Sequence, residues 1–145
     1  MMGYSEDGEA IACPSARAKP GSELLGIRQE DGTIAILPQP LPVDGAFMEI
    51  AHRSPTPPEQ RFRFTNKCIE RGCKQWDGKG CGIAKRVTEF LNKIPSTAEL
   101  PACNIRPRCR WFVQEGPDAC RICPYIITEI TEEEARQYWD NLDSR

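Results

Sequence analysis

Seven of the chain's eight cysteines fall between Cys68 and Cys123, and no other feature narrows the accessible folds as much. They form two tracts. The first, CIERGCKQWDGKGC, holds Cys68, Cys73 and Cys81 with four and seven residues between them. The second, CNIRPRCRWFVQEGPDACRIC, holds Cys103, Cys109, Cys120 and Cys123 with five, ten and two residues between them. Cys13, in ACPSA, stands alone far upstream. So many thiols in a short chain form a disulfide framework, ligate a metal or cluster, or include a redox pair.

Composition says why a staple is needed. With 145 residues and 39% of them apolar, the chain has little material for a self-sufficient core, and its 13 prolines and 11 glycines imply many turns. The opening MMGYSEDGEAIACPSARAK carries acidic residues where a secretory signal would be basic, and no stretch is apolar enough for an h-region or a membrane span. The expectation is a cytoplasmic protein with no membrane association. Thiols there are kept reduced, which favours metal ligation over disulfides.

Along the chain, residues 1–60 read as a loose N-terminal arm and residues 61–145 as a cysteine-rich metal-binding domain. In the arm, ELLGIRQEDGTIAIL predicts a β-hairpin over Ser22 to Leu37, with Gly32 supplying a positive φ in the turn. Pro38, Pro40 and Pro42 lack the donor a ladder needs and are expected to end it. Asp44 is placed to cap a short helix from Gly45 to Ala51, and HRSPTPPEQ reads as an extended linker.

Beyond the linker, RFRFT predicts a strand whose Phe62 and Phe64 share a core-facing side. Ile83, Val87, Phe90, Leu91 and Ile94 recur at helical spacing directly after Cys81, until Pro95 stops the run. TEEEARQYWDNL predicts a second helix, with Thr131 and Glu134 in a capping-box pattern and Tyr138 and Leu142 facing the domain. Tyr125 to Ile127 reads as a strand. The expected fold is a small cysteine-rich, metal-stabilised α+β domain: a hairpin arm, short strands and two helices.

Thiolates are soft ligands for zinc, copper(I) and iron–sulfur clusters, and a tetrahedral zinc or a cubane cluster commonly takes four. The second tract alone supplies Cys103, Cys109, Cys120 and Cys123. The first supplies Cys68, Cys73 and Cys81, which Cys13 or a cysteine shared with the second tract would complete. Zinc knuckles usually bring two close cysteine pairs, whereas only Cys120 and Cys123 are close here. Cluster ligation tolerates irregular spacing and often places proline after a ligand, as in Cys123-Pro124 and Cys13-Pro14. The spacing therefore favours one or two 4Fe-4S clusters, with zinc as the alternative.

From Arg61 to Cys123 there are thirteen Lys and Arg against six Asp and Glu, a net of +7 in a chain whose total is −2. RFRF, RPRCRWF and Trp76 could serve a nucleic acid. The same cations, Arg71, Arg106, Arg108, Arg110 and Arg121 among them, could instead lower thiol pKa values and offset the charge of ligating thiolates. Trp76 and Trp111-Phe112 would either shield a cluster from water or fill the core. His52, the single histidine, is a minor candidate for replacing one thiolate.

Three functions follow. The favoured one is an iron–sulfur protein that transfers electrons or supports a redox enzyme as its protein partner, a carrier or accessory rather than a stand-alone enzyme. The second is a zinc-stabilised protein- or nucleic-acid-binding module. The third is a thiol–disulfide oxidoreductase built on Cys120-x-x-Cys123. No Gly-rich phosphate loop, HExxH pattern or Ser/His/Asp set signals a hydrolase or kinase.

Overall fold

In the computed structural model, residues 10–94 and 100–127 are described, together with Glu133 and Arg136. Strands β1 (Ala12–Cys13), β2 (Glu23–Arg28), β3 (Ile34–Pro42) and β4 (Phe62–Lys67) form one antiparallel sheet in the order β1-β4-β2-β3. Five short helices accompany it: α1 (Gly45–Ala51), α2 (Pro58–Arg61), α3 (Gly82–Val87), α4 (Arg110–Glu115) and α5 (Pro117–Ile122). The class is α+β, and α2, α4 and α5 are helices that the sequence reading did not place.

The hairpin turns where the sequence places it, with Gly32 at φ 91° and Asp31 accepting from the Thr33 N–H at 2.9 Å. The prolines do not end it. Leu24 pairs with Leu41 and Gly26 with Ile36, so the register jumps and Pro38 and Pro40 lie in the stretch the ladder skips. Because β3 is an edge strand, Pro42 opposite Glu23 leaves no inner ladder broken.

Nor does the hairpin stand off as a loose arm. Strand β4, from beyond the Pro-rich linker, pairs with β1 on one side and β2 on the other. Hydrogen bonding of the sheet therefore runs across residue 60.

Each sheet face buries its own apolar set, as neighbouring residues on a strand must. On one face, Leu24, Val43 and Phe64 pack under α1, with Phe47 edge-on to Phe62 and Phe64. On the other, Leu25 and Ala12 meet Ala84, Val87, Ile105, Trp111 and Ile122. The cysteines lie among this second set.

Helix α1 begins as the sequence requires. Asp44 has extended backbone, and its Oδ1 accepts the Phe47 N–H at 2.8 Å. Asp44→Ala is expected to cost about 1 kcal/mol, seen as a thermal midpoint lower by about 2–4 °C. The run after Cys81 is helical through Val87 and then tightens to a 3-10 segment over Thr88–Lys93. Tyr125 to Ile127 is not a strand: a 3-10 turn spans Cys123–Tyr125, since Pro124 fits the first turn of a helix and not a ladder. The C-terminal helix built on Thr131, Glu134, Tyr138 and Leu142 lies outside the described residues, of which Glu133 and Arg136 are helical.

Candidate metal centres

The second tract reaches its geometry through a chain of tight turns. A 3-10 turn over Arg106–Arg108 delivers Cys109 to the start of α4, and Gly116, at φ 82°, closes α4 and opens α5 in one residue. Pro117 occupies the first helical position of α5, where its missing N–H costs nothing. Cys120 then falls inside α5 and Cys123 caps its C-terminal end. Cys103, Cys109, Cys120 and Cys123 all line one small hollow, walled also by Pro14, Leu25 and Trp111.

The first tract is completed by the sheet. Strand β1 pairs with β4 so that Cys13 opposes Asn66, and the Cys68 N–H donates to the Ile11 carbonyl at 2.8 Å. This carries an upstream cysteine to the start of the tract. Trp76 bridges to Cys81, and its N–H donates to the Cys73 carbonyl at 3.1 Å, which folds the Cys73–Cys81 loop back on itself. Cys81 caps α3, its Sγ accepting the Ala84 N–H at 3.5 Å.

Electrostatics separates the same two sets. Burial pushes the Cys13 thiol from 9.0 up to about 12, with Cys68, Cys81 and Cys73 adding to the rise. Burial likewise raises Cys103, Cys109 and Cys120, with Cys123 acting on all three in the same direction. The arginines were expected to lower the thiols. Arg106 does act that way on Cys103 and Cys120, but desolvation outweighs it.

A raised thiol pKa means the protonated form is favoured, so any thiolate-seeking ion must displace protons held more tightly than those of free cysteine. Affinity for cadmium, a soft probe of thiolates, is therefore expected to fall steadily as the pH falls below the thiol range. Proton release into weakly buffered solution, about four per filled set, checks this, and release of one or none would count against it.

The sequence reading offered Arg63, within RFRF, only to a nucleic acid. The side chain is 1% exposed, on the β4 side opposite the phenylalanines. Its guanidinium donates to Cys123 Sγ at 2.9 Å, to the Cys123 carbonyl at 3.0 Å and to the Ile126 carbonyl, and lies 5.8 Å from the Trp111 ring centre. A guanidinium is never deprotonated in a protein, so burying it calls for a counter-anion. Only the regional excess of basic residues hinted at such a partner.

Around the first set, Arg110 pairs with Glu70 and lies 5.0 Å from the centre of the Trp76 ring. Buried atoms without a hydrogen-bond partner include Trp76 Nε1, Arg106 Nε and Arg110 Nε, all N–H donors beside the thiol sets. Unpaired donors suit an anionic acceptor.

Other expectations resolve at these positions. All eight cysteines are free thiols. Of the arginines and aromatics proposed for nucleic acid, Arg63, Arg110 and Trp111 are buried, and Arg106 donates to the Pro101 carbonyl. Cys120-x-x-Cys123 does not begin a helix after a strand but ends one, since Pro117 starts α5 before it. His52 is exposed at the end of α1. Among the described residues, no three His, Cys, Asp or Glu side chains are gathered so as to hold a metal ion, and no helix is long and apolar enough to cross a membrane. No protein-family model, curated protein or solved structure matches the chain.

Proposed function

We propose that the protein is an iron–sulfur carrier, holding clusters on Cys103, Cys109, Cys120 and Cys123 and on Cys13, Cys68, Cys73 and Cys81, and serving a redox enzyme as electron carrier or accessory. The observation that carries this reading is Arg63, a buried cation whose one sulfur partner is Cys123 Sγ. A neutral thiol gives a guanidinium little, whereas a ligating thiolate answers its charge.

Two further features support a cluster. The four cysteines of the second tract line one hollow, and four thiolates are the number a cubane cluster takes. The unpaired donors Trp76 Nε1, Arg106 Nε and Arg110 Nε are the kind of groups that hydrogen-bond cluster and ligand sulfur. A bound cluster would supply reversible one-electron transfer. The chain's own residues would orient the thiolates through α4 and α5, exclude water with Trp111, and balance charge with Arg63 and Arg106.

A thiol–disulfide mechanism fits less well. It needs an accessible cysteine of lowered pKa, and Cys120 is buried and raised.

Anaerobic purification followed by a visible spectrum and iron, sulfide and zinc analysis of one sample tests the reading. The expected result is a brown protein with near-equal iron and sulfide whose visible absorption bleaches on reduction. A colourless sample with stoichiometric zinc, or with no metal, would overturn it.

A further inference from the structure

We infer that the loop of the first cysteine tract, residues 67–86, is a docking surface for an acidic face of a partner protein, with Ile69 as its apolar anchor and Lys67, Arg71, Lys74 and Lys79 as its cations. The inference rests on the surface of this loop and not on what the thiols bind.

Charge carries the first half. Residues 67–86 hold six Lys and Arg against two acidic residues. Both carboxylates are already answered, Glu70 by the buried Arg110 from outside the loop and Asp77 by Lys85 on α3. Among the described residues, Lys67, Arg71, Lys74 and Lys79 are exposed and pair with no carboxylate. Successive turns keep them on one compact loop. The Gly72 N–H donates to the Ile69 carbonyl at 3.2 Å, the Cys73 N–H to the Glu70 carbonyl at 2.8 Å and the Gly82 N–H to the Gln75 carbonyl at 2.7 Å. Four like charges fixed on so short a stretch repel one another, and an anionic surface laid against them relieves that repulsion.

The second half is Ile69, which is 62% exposed. The backbone holds it there. Glu70, the next residue, has φ 51° and is the one non-glycine among the described residues in the left-handed region. That conformation costs a residue with a side chain about 1–2 kcal/mol. The pairing of its carboxylate with Arg110, both side chains largely buried, keeps the turn in place. On its inner side Ile69 rests on Gly72, where a Cβ would come within 3.1 Å of Ile69 Cδ1. A branched apolar side chain held out among unpaired cations has the make-up of an interface centre with a polar rim.

The same loop suits a nucleic acid less well. Single strands are gripped by stacking on open aromatic rings. Trp76, the only aromatic residue in 67–86, has its ring covered by Arg110, 5.0 Å from the ring centre. Nor does a phosphate backbone offer Ile69 an apolar contact. An apolar patch rimmed by carboxylates on a protein answers both features at once.

The test is fluorescence anisotropy on the anaerobically purified full chain with three labelled probes: a glutamate-rich peptide with a central Leu-Phe pair, the same peptide with a Gly-Gly centre, and a mixed-sequence DNA duplex. The Leu-Phe peptide is expected to bind more tightly than the Gly-Gly one, and both to weaken as salt is raised. The double variant Lys67→Glu, Lys74→Glu is expected to weaken both by about tenfold or more. Ile69→Ala is expected to remove the advantage of the Leu-Phe centre and to leave the Gly-Gly peptide's affinity unchanged. Arg53→Glu is the control and is expected to change nothing, since it follows α1, which packs on the other face of the sheet. Near-UV circular dichroism checks folding, and Arg71→Glu replaces any charge variant whose spectrum departs from the wild type. No peptide binding at low salt, equal affinity for the two peptides, or an unchanged affinity in the charge variant overturns the proposal. Tighter binding of the duplex than of either peptide, lost in the same variant, overturns it in favour of a nucleic-acid surface.

Discussion

On the cluster reading, stripping the clusters with acid and chelator under anaerobic conditions is expected to abolish most of the tertiary structure. The larger apolar core is built around the thiols: Cys109 is one of its buried members, and Cys81, Cys103 and Cys123 pack against it. The helices that adjoin or carry Cys81, Cys109, Cys120 and Cys123, α3, α4 and α5, have six residues each. Helices that short do not persist in water without tertiary support. Where ligands are supplied by such segments, the free energy of binding becomes the free energy of folding. Near-UV circular dichroism should collapse, and the emission of Trp111, 2% exposed in the folded chain, should shift to the red. A metal-free sample that still melts cooperatively with an unchanged near-UV spectrum would contradict the expectation.

Replacing Arg63 by methionine is the second large effect expected. The substitution leaves Cys123 Sγ and the carbonyls of Cys123 and Ile126 without their donor at a position where the side chain is 1% exposed. Breaking a buried charge pair from one side costs about 3–5 kcal/mol, and leaving buried acceptors unpaired adds to the same loss. Anaerobic denaturant titration of the loaded protein measures it. Arg71→Met serves as the control, since Arg71 is exposed and such surface changes stay within about 0.5 kcal/mol. Equal midpoints for the two variants would remove Arg63 from any role in balancing the site.

These outcomes depend on features that were unequally legible in the sequence. The hairpin, the Asp44 cap, the β4 strand and the helical run after Cys81 were readable because each is a local signal: a turn residue, a cap residue, a period. Helices α4 and α5 were not, because six residues are too few to show a helical period, and Gly116-Pro117 looked like loop punctuation. In the fold that pair both ends one helix and starts the next. The continuation of β3 through Pro42 was hidden for a related reason. A proline rule assumes a continuous ladder, and here the register skips the proline stretch.

The candidate site divides the same way. The second tract's four cysteines are close in sequence, and their convergence on one hollow needs only turns. The approach of Cys13 to the start of the first tract rests on the pairing of β1 with β4, a contact across more than fifty residues that no spacing rule reports. Arg63 was the deepest miss. Alternation in RFRFT suggested one buried and one solvated face, but β4 is covered on both sides, so its arginine is buried as fully as Phe64.

The position of β4 between β1 and β2 also governs the order in which the chain can assemble as it is synthesised. Its two flanking strands emerge first and cannot meet each other, so the sheet waits for residue 67 before its middle is filled. Such late, non-local insertion slows folding and leaves strand edges uncovered in the meantime. Until it happens Cys13 has no route to Cys68, whereas the Cys103 to Cys123 tract can gather from neighbouring turns. A nascent molecule is thereby able to bring its later-made sulfurs near one another by local turns, while the contact of Arg63 with Cys123 and the approach of Cys13 to Cys68 must await the finished sheet.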